Sequence, residues 1–168
     1  MSAETLPTAG RIAEAVKIQA SRFLFAVSAG NPAWDSMWTG PNPPSPPIIA
    51  TDVLNRLCYA RPTIVDFLTP DDAGEIRLDG GARFSDSEDP TEYVRIKLAL
   101  PEGSLDGQTI REIGLFIDSV LDPALPPGQI IIPPAGVLAR GSLYALYWRE
   151  AYPVEGGDFF ARNFVVRI

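Results

Sequence analysis

Histidine is absent from this 168-residue chain, and cysteine occurs once, as Cys58. The first absence removes the commonest general base and the commonest metal ligand. It excludes Ser-His-Asp and Cys-His catalysis and any histidine metal site. The second excludes an intrachain disulfide and a multi-cysteine zinc site. Basic charge is short too: 14 Lys and Arg stand against 21 Asp and Glu, a formal net charge of −7. A duplex or an anionic membrane surface is bound through a basic face, so no nucleic-acid partner is expected. No apolar run reaches the length that crosses a bilayer, so no membrane insertion is expected. The opening MSAETLPTAG has no basic stretch followed by an apolar one, and so does not read as a secretory signal. Folding in a cytoplasm is the expectation.

What the chain has instead is punctuation, with 17 prolines and 14 glycines. Most intervals between them are too short for long helices, which favours β structure. Tyr93–Leu100 alternates cleanly: Val94, Ile96, Leu98 and Leu100 share one face, Arg95 and Lys97 the other. That is a strand with one buried face. Ile110–Ile117 is a second strong strand. Thr63–Leu68, Ile130–Ile132, Leu143–Trp148 and Phe159–Ile168 are further candidates. Residues 8–29 read two ways. Thr8 offers a helix cap ahead of a helical face of Ile12, Val16, Ala20, Phe23 and Val27, but Arg22–Val27 reads better as a buried strand, and a strand ending near Ser28 is favoured. Residues 51–60 read as a short helix, with Val53, Leu54, Leu57 and Cys58 on one side and Pro62 as the stop. Ala82–Asp89 reads as a polar loop.

The most unusual stretch is Gly30–Pro47. It sets Trp34 and Trp38 among Pro32, Pro41, Pro43, Pro44, Pro46 and Pro47, with no apolar periodicity. Proline removes a backbone donor and fixes φ, so this is neither helix interior nor central strand. Two tryptophans are also too much apolar surface to leave in water without cause. The segment reads as an extended arm running over a surface.

Chemistry-bearing groupings are few. Asp86, Glu88, Asp89 and Glu92 lack the spacing of a calcium loop and read as a solvated rim. Asp71, Asp72 and Glu75 sit beside Gly74, where Asp is at home in a turn. A carboxylate hydrolase using Asp71, Asp72, Glu88 or Asp89 is the weakest of the functional readings. Gly80-Gly81 and Gly156-Gly157 lack a phosphate-loop context. Cys58 reads as a small apolar residue with no histidine to activate it. Arg111 and Glu112 are neighbours in a strand, so they point to opposite faces and cannot pair with each other. One charge therefore lies on an apolar stripe and needs a match from another strand or subunit. Gly114 marks a bulge or a close backbone approach. Tyr144, Tyr147 and Trp148 offer a stacking surface for a sugar, although such residues more often serve a core or an interface.

The order of these motifs carries a resemblance. An apolar strand (Phe23–Val27) leads to the Trp/Pro segment, then to a short helix and a strand with Pro70-Asp71 and Gly74, then to IREIGLF at 110–116, then to LYAL at 143–146. The chain resembles small tail and baseplate proteins of contractile-tailed bacteriophages. The Trp/Pro stretch is similar to that of baseplate-wedge-type proteins, and REIGLF followed by an LYAL-like run resembles the N-terminal attachment domain of tail-fibre proteins. The resemblance implies a structural role in the virion tail, made in the host bacterial cytoplasm. It implies symmetric copies docking to other baseplate or tail subunits, including a tail fibre, with no catalytic residue, metal or cofactor. The expected architecture is mainly β with α+β flavour: an antiparallel β-sandwich with one short helix and an extended Trp/Pro-rich arm. The expected division is an N-terminal strand and arm at 1–50 and the sandwich at 51–168. Trp34, Trp38, Pro43, Pro44, Pro46, Pro47, Arg111 and Glu112 are the interface candidates. A carbohydrate- or receptor-binding tail module is the alternative function.

Overall fold

The computed structural model describes residues 5–38, 43–78 and 80–168. Residues 39–42 of the Trp/Pro segment, Pro41 among them, lie outside the described residues. In chain order the first elements are α1 (Thr8–Gln19), β1 (Phe23–Ser28), α2 (Trp34–Met37), β2 (Arg56–Ala60), β3 (Ile64–Pro70) and β4 (Ile76–Arg77). Then come β5 (Arg83–Ser87), β6 (Tyr93–Ala99), β7 (Thr109–Ile117), β8 (Val120–Leu121) and β9 (Ile131–Ile132). A 3-10 turn at Pro134–Gly136 precedes β10 (Val137–Ala139), β11 (Ser142–Pro153) and β12 (Ala161–Arg167). The mainly β, antiparallel fold class with one principal helix is borne out.

The chain forms two compact units. One comprises Met1–Ser21, Thr63–Leu98 and Arg162–Ile168; the other comprises Arg22–Pro62 and Ala99–Ala161. The first holds α1 and a five-stranded sheet in the order β12-β6-β3-β5-β4. Val94, Ile96 and Leu98 of β6 are fully buried, as their alternation predicts. The opposite face is not simply wet. Arg95 is also buried, held by Asp66 directly across on β3 and by Asp86 of β5 at 2.8 Å. Two carboxylates around one guanidinium are what make its burial tolerable.

The second unit holds a sheet in the order β11-β7-β1-β2-β9, with β8 and β10 paired beside it. Strand β1 lies in the middle and is buried along all six residues. That explains its unbroken apolar run, since a strand covered on both faces needs no polar alternation. Leu24, Ala26, Val53, Tyr59, Phe116 and Ile132 form a core there. Strand β11 is the long edge strand, and its register against β7 slips twice, between Leu143 and Ala145 and between Trp148 and Tyr152. Such bulges bend a strand and re-aim its side chains.

Three local expectations are corrected. The helix lies at Thr8–Gln19 and not at 51–60, so the ambiguous N-terminal stretch is a helix followed by strand β1. Thr8 is its first helical residue, with Pro7 at the N-cap. Residues 56–60 form β2 because they fill the slot between β1 and β9: Phe25 pairs with Ala60 and Tyr59 with Ile132. Asn55 at φ 53° turns the chain into that strand, and pairing there overrides the helical spacing. Cys58 therefore sits on a strand, where burial pushes its thiol up to about 11. Ala82–Asp89 is mostly strand, because β5 pairs with both β3 and β4 and buries Phe84.

Candidate functional site

At the end of β1 the chain must leave the sheet sharply. Gly30 does this at φ 60°, a conformation open to glycine at no steric cost. A Cβ there would lie 2.5 Å from the Trp34 ring, so the glycine also makes room for the indole. The Gly30 carbonyl accepts from Asn55 Nδ2 at 2.8 Å, and its N–H is shared between Ser28 Oγ and the Leu54 carbonyl. Asn31 Oδ1 then accepts the Ala33 N–H at 3.0 Å, closing the turn that starts α2.

Helix α2 is a single turn, and the sequence does carry a signal for it. Trp34 and Trp38 are four residues apart, so one turn sets both on one side. The expectation of an extended arm over Gly30–Pro47 is corrected to that extent. The two rings stack at 5.2 Å between centroids and 20° between planes. Trp148 from β11 completes the group, 4.6 Å from Trp34 and 5.7 Å from Trp38. Trp34 is buried by its own chain, at 7% exposure, while Trp38 is half-buried.

Arg111 and Glu112 fasten this group, each on its own face of β7. Arg111 donates from Nε to Asp35 Oδ1 at 2.8 Å and from Nη2 to Asp35 Oδ2 at 2.7 Å. A third bond runs to the Ala29 carbonyl at 3.2 Å. The hydrogen bond to Arg111, aided by its charge, holds the Asp35 carboxyl below the usual carboxylate range. The forked pair locks α2 to β7. Glu112 is 1% exposed. Its Oε1 accepts the Trp148 indole N–H at 2.9 Å and its Oε2 accepts the Leu54 N–H at 2.6 Å. The Ser28 hydroxyl stands 3.1 Å from Oε2 and against the Leu54 carbonyl. The match for the charge on the apolar stripe thus comes from hydrogen-bond donors of the same chain. Gly114, two residues on, marks a close approach: a Cβ there would come within 2.6 Å of Val53 Cγ1.

Beyond the anchor, the arm borders two grooves. One of about 280 Å³ is lined by Trp34, Asp35, Trp38, Pro43, Glu150 and Ala151. The other, about 210 Å³, lies between Pro46, Pro47, Ile48 and Ala50 on one side and Leu143–Leu146 of β11 on the other. Pro43 and Pro46 are half-buried; Pro44 and Pro47 are exposed. The turn after them shows Ile48 at 102% and Ile49 at 84% exposure. Neither isoleucine was singled out in the sequence. The signal was there, in two β-branched apolar residues following a proline pair.

The remaining candidates lie elsewhere. Asp71 accepts from Ser85 Oγ at 2.6 Å and the Ala73 N–H at 2.9 Å, which lowers its pKa and gives it a turn-forming role. Glu88 and Asp89 are exposed, and Glu92 is bridged by Arg11 and Arg167. Among the described residues no group of three or more His, Cys, Asp or Glu is placed to hold a metal ion. No helix of the described residues is long and apolar enough to cross a membrane. Of the aromatic surface residues, Tyr144 meets Phe23 edge-on at 6.3 Å, and Trp148 belongs to the indole group.

Residues 3–168 match the protein family described as "Baseplate wedge 3 tail fiber network component". No curated protein matches the chain.

Proposed function

The chain belongs to the baseplate wedge 3 tail fiber network component family, and from that premise we propose that its Trp/Pro arm is the surface through which it docks to neighbouring baseplate subunits. It is a structural component of a phage tail baseplate. The observation that carries the finer reading is the state of the arm: fastened at Trp34, bare at Ile48 and Ile49. Trp34 is packed against Trp148 and locked in place by the Arg111–Asp35 pair, while Ile48 and Ile49 are exposed to solvent. Two adjacent isoleucines almost wholly exposed lose free energy in water, roughly 1.5–3 kcal/mol each relative to burial. The turn that carries them is closed by the Ala50 N–H on the Pro47 carbonyl at 3.0 Å, and a preformed turn lowers the ordering cost of binding, which favours association.

In this reading Trp34, Arg111 and Glu112 are the footing. Trp38, Pro43, Pro44, Pro46, Pro47 and the two isoleucines form the face that meets a partner. The same contacts connect this subunit into the network that carries tail fibres, in several symmetric copies. The test is co-purification with co-expressed wedge subunits of the same phage. The Ile48→Asp/Ile49→Asp variant is expected to keep its melting temperature and to lose co-purification. Undiminished co-purification of that variant would remove the arm from the interface.

A further inference from the structure

We propose that the groove beside the indole group receives an arginine side chain from the neighbouring subunit. This rests on the docking reading above and names the chemistry of one part of that face. The groove of about 280 Å³ has indole on one side, from Trp34 and Trp38, and among the described residues its charged lining, Asp35 and Glu150, is acidic. Trp38 is half-buried and Glu150 is exposed, so aromatic surface and carboxylate are both within reach of an incoming side chain. An indole face attracts a cation through its quadrupole, and a nearby carboxylate adds charge complementarity.

The local charges point the same way. Asp35 is already matched by Arg111 through two hydrogen bonds, so that pair is neutral as a unit. Arg149, next to Glu150, donates from Nε to the Glu150 carbonyl at 3.2 Å and carries its guanidinium over the rings of Tyr152 and Phe160, 4.7 Å and 5.5 Å from their centroids. Glu150 is the lining carboxylate left to meet an incoming cation, in a chain whose formal net charge is −7. Arginine suits the site better than lysine. Its planar guanidinium stacks on an aromatic face and still directs a fork of N–H donors at a carboxylate. The bulge that opens β11 between Trp148 and Tyr152 is what turns Glu150 and Ala151 towards the arm.

The test uses the full chain with labelled tryptophan and follows the indole N–H resonances by NMR. The probes are end-capped Gly-Arg-Gly and Gly-citrulline-Gly, which are nearly isosteric and differ in charge. The expected result is a saturable shift of the Trp38 resonance, with the arginine peptide binding about five-fold or more tightly than the citrulline peptide. Glu150→Gln is expected to abolish that preference. Asp72→Asn makes the same change in net charge on a distant turn and is expected to keep it. Equal response to both peptides, unsaturable shifts, or equal loss in both variants would overturn the proposal. Docking itself is read separately, by co-purification: a subunit that still co-purifies yet ignores the difference between the peptides keeps the arm as an interface and loses the arginine site.

Discussion

Glu112 Oε1 accepts the indole N–H of Trp148 at 2.9 Å, joining the buried middle of β7 to the aromatic group on which the arm is footed. The carboxylate simultaneously takes the Leu54 N–H. One buried side chain thus fixes an edge strand, a loop and, through Trp148, the position of Trp34. A charge in such a site survives because donors surround it.

Removing that charge has a defined cost. Glu112→Ala leaves the Trp148 and Leu54 N–H groups without their acceptor, and is expected to destabilise the chain by roughly 3 kcal/mol. Glu112→Gln keeps one acceptor but turns an amide donor towards donors, and is expected to cost about 1–2 kcal/mol. Urea unfolding measures both, and near-UV circular dichroism should show the tryptophan signal reduced in each.

The two arm tryptophans should separate cleanly. Trp34→Ala empties a buried site and is expected to cost about 3–5 kcal/mol. Trp38→Ala removes a half-exposed ring and mainly its stacking, about 1 kcal/mol. Equal losses in urea unfolding would mean that the footing is shared and not centred on Trp34.

Acid should weaken the footing. The Asp35 carboxyl titrates lower in the folded chain than in the unfolded one, chiefly through its hydrogen bond from Arg111. A lowered folded pKa gives stability that is present above the unfolded value, about 4, and is lost as pH falls through the folded value. The stability difference between wild type and Asp35→Asn is therefore expected to be constant from pH 7 to 5 and to shrink below about pH 4. Unfolding at a series of pH values reads it directly.

Gly114 offers a packing test. A methyl group there meets Val53 Cγ1 at 2.6 Å, so Gly114→Ala is expected to cost about 1–3 kcal/mol through overpacking. Val53→Ala in the same chain should recover part of the loss. A neutral Gly114→Ala would show that the loop carrying Val53 yields without cost.

Sequence patterns made some of this legible, for physical reasons. Strands β1, β6 and β7 announce themselves because burial on one or both faces leaves a direct record in which residues are apolar. The opposite facing of Arg111 and Glu112 follows from strand geometry alone. Strand β5 left no such record: of Arg83–Ser87 only Phe84 is apolar, and neighbouring strands supply the pairing that makes it a strand. The spacing of Val53, Leu54, Leu57 and Cys58 suits a helix, but β1 needs a neighbour on that side, and pairing decided. The indole group depends on Trp34 and Trp148, far apart in sequence and joined only by the register of β11 on β7. No local pattern predicts that meeting.

In the proposed reading the arm presents Ile48 and Ile49 to a neighbouring subunit. A photo-crosslinking amino acid placed at Ile48, in virions assembled with the variant, tests it most directly, with the same label at exposed Asp72 as reference. A crosslink from position 48 to another baseplate subunit is expected. Crosslinks confined to the subunit's own chain, in virions where the label at Asp72 reports normal incorporation, would contradict it.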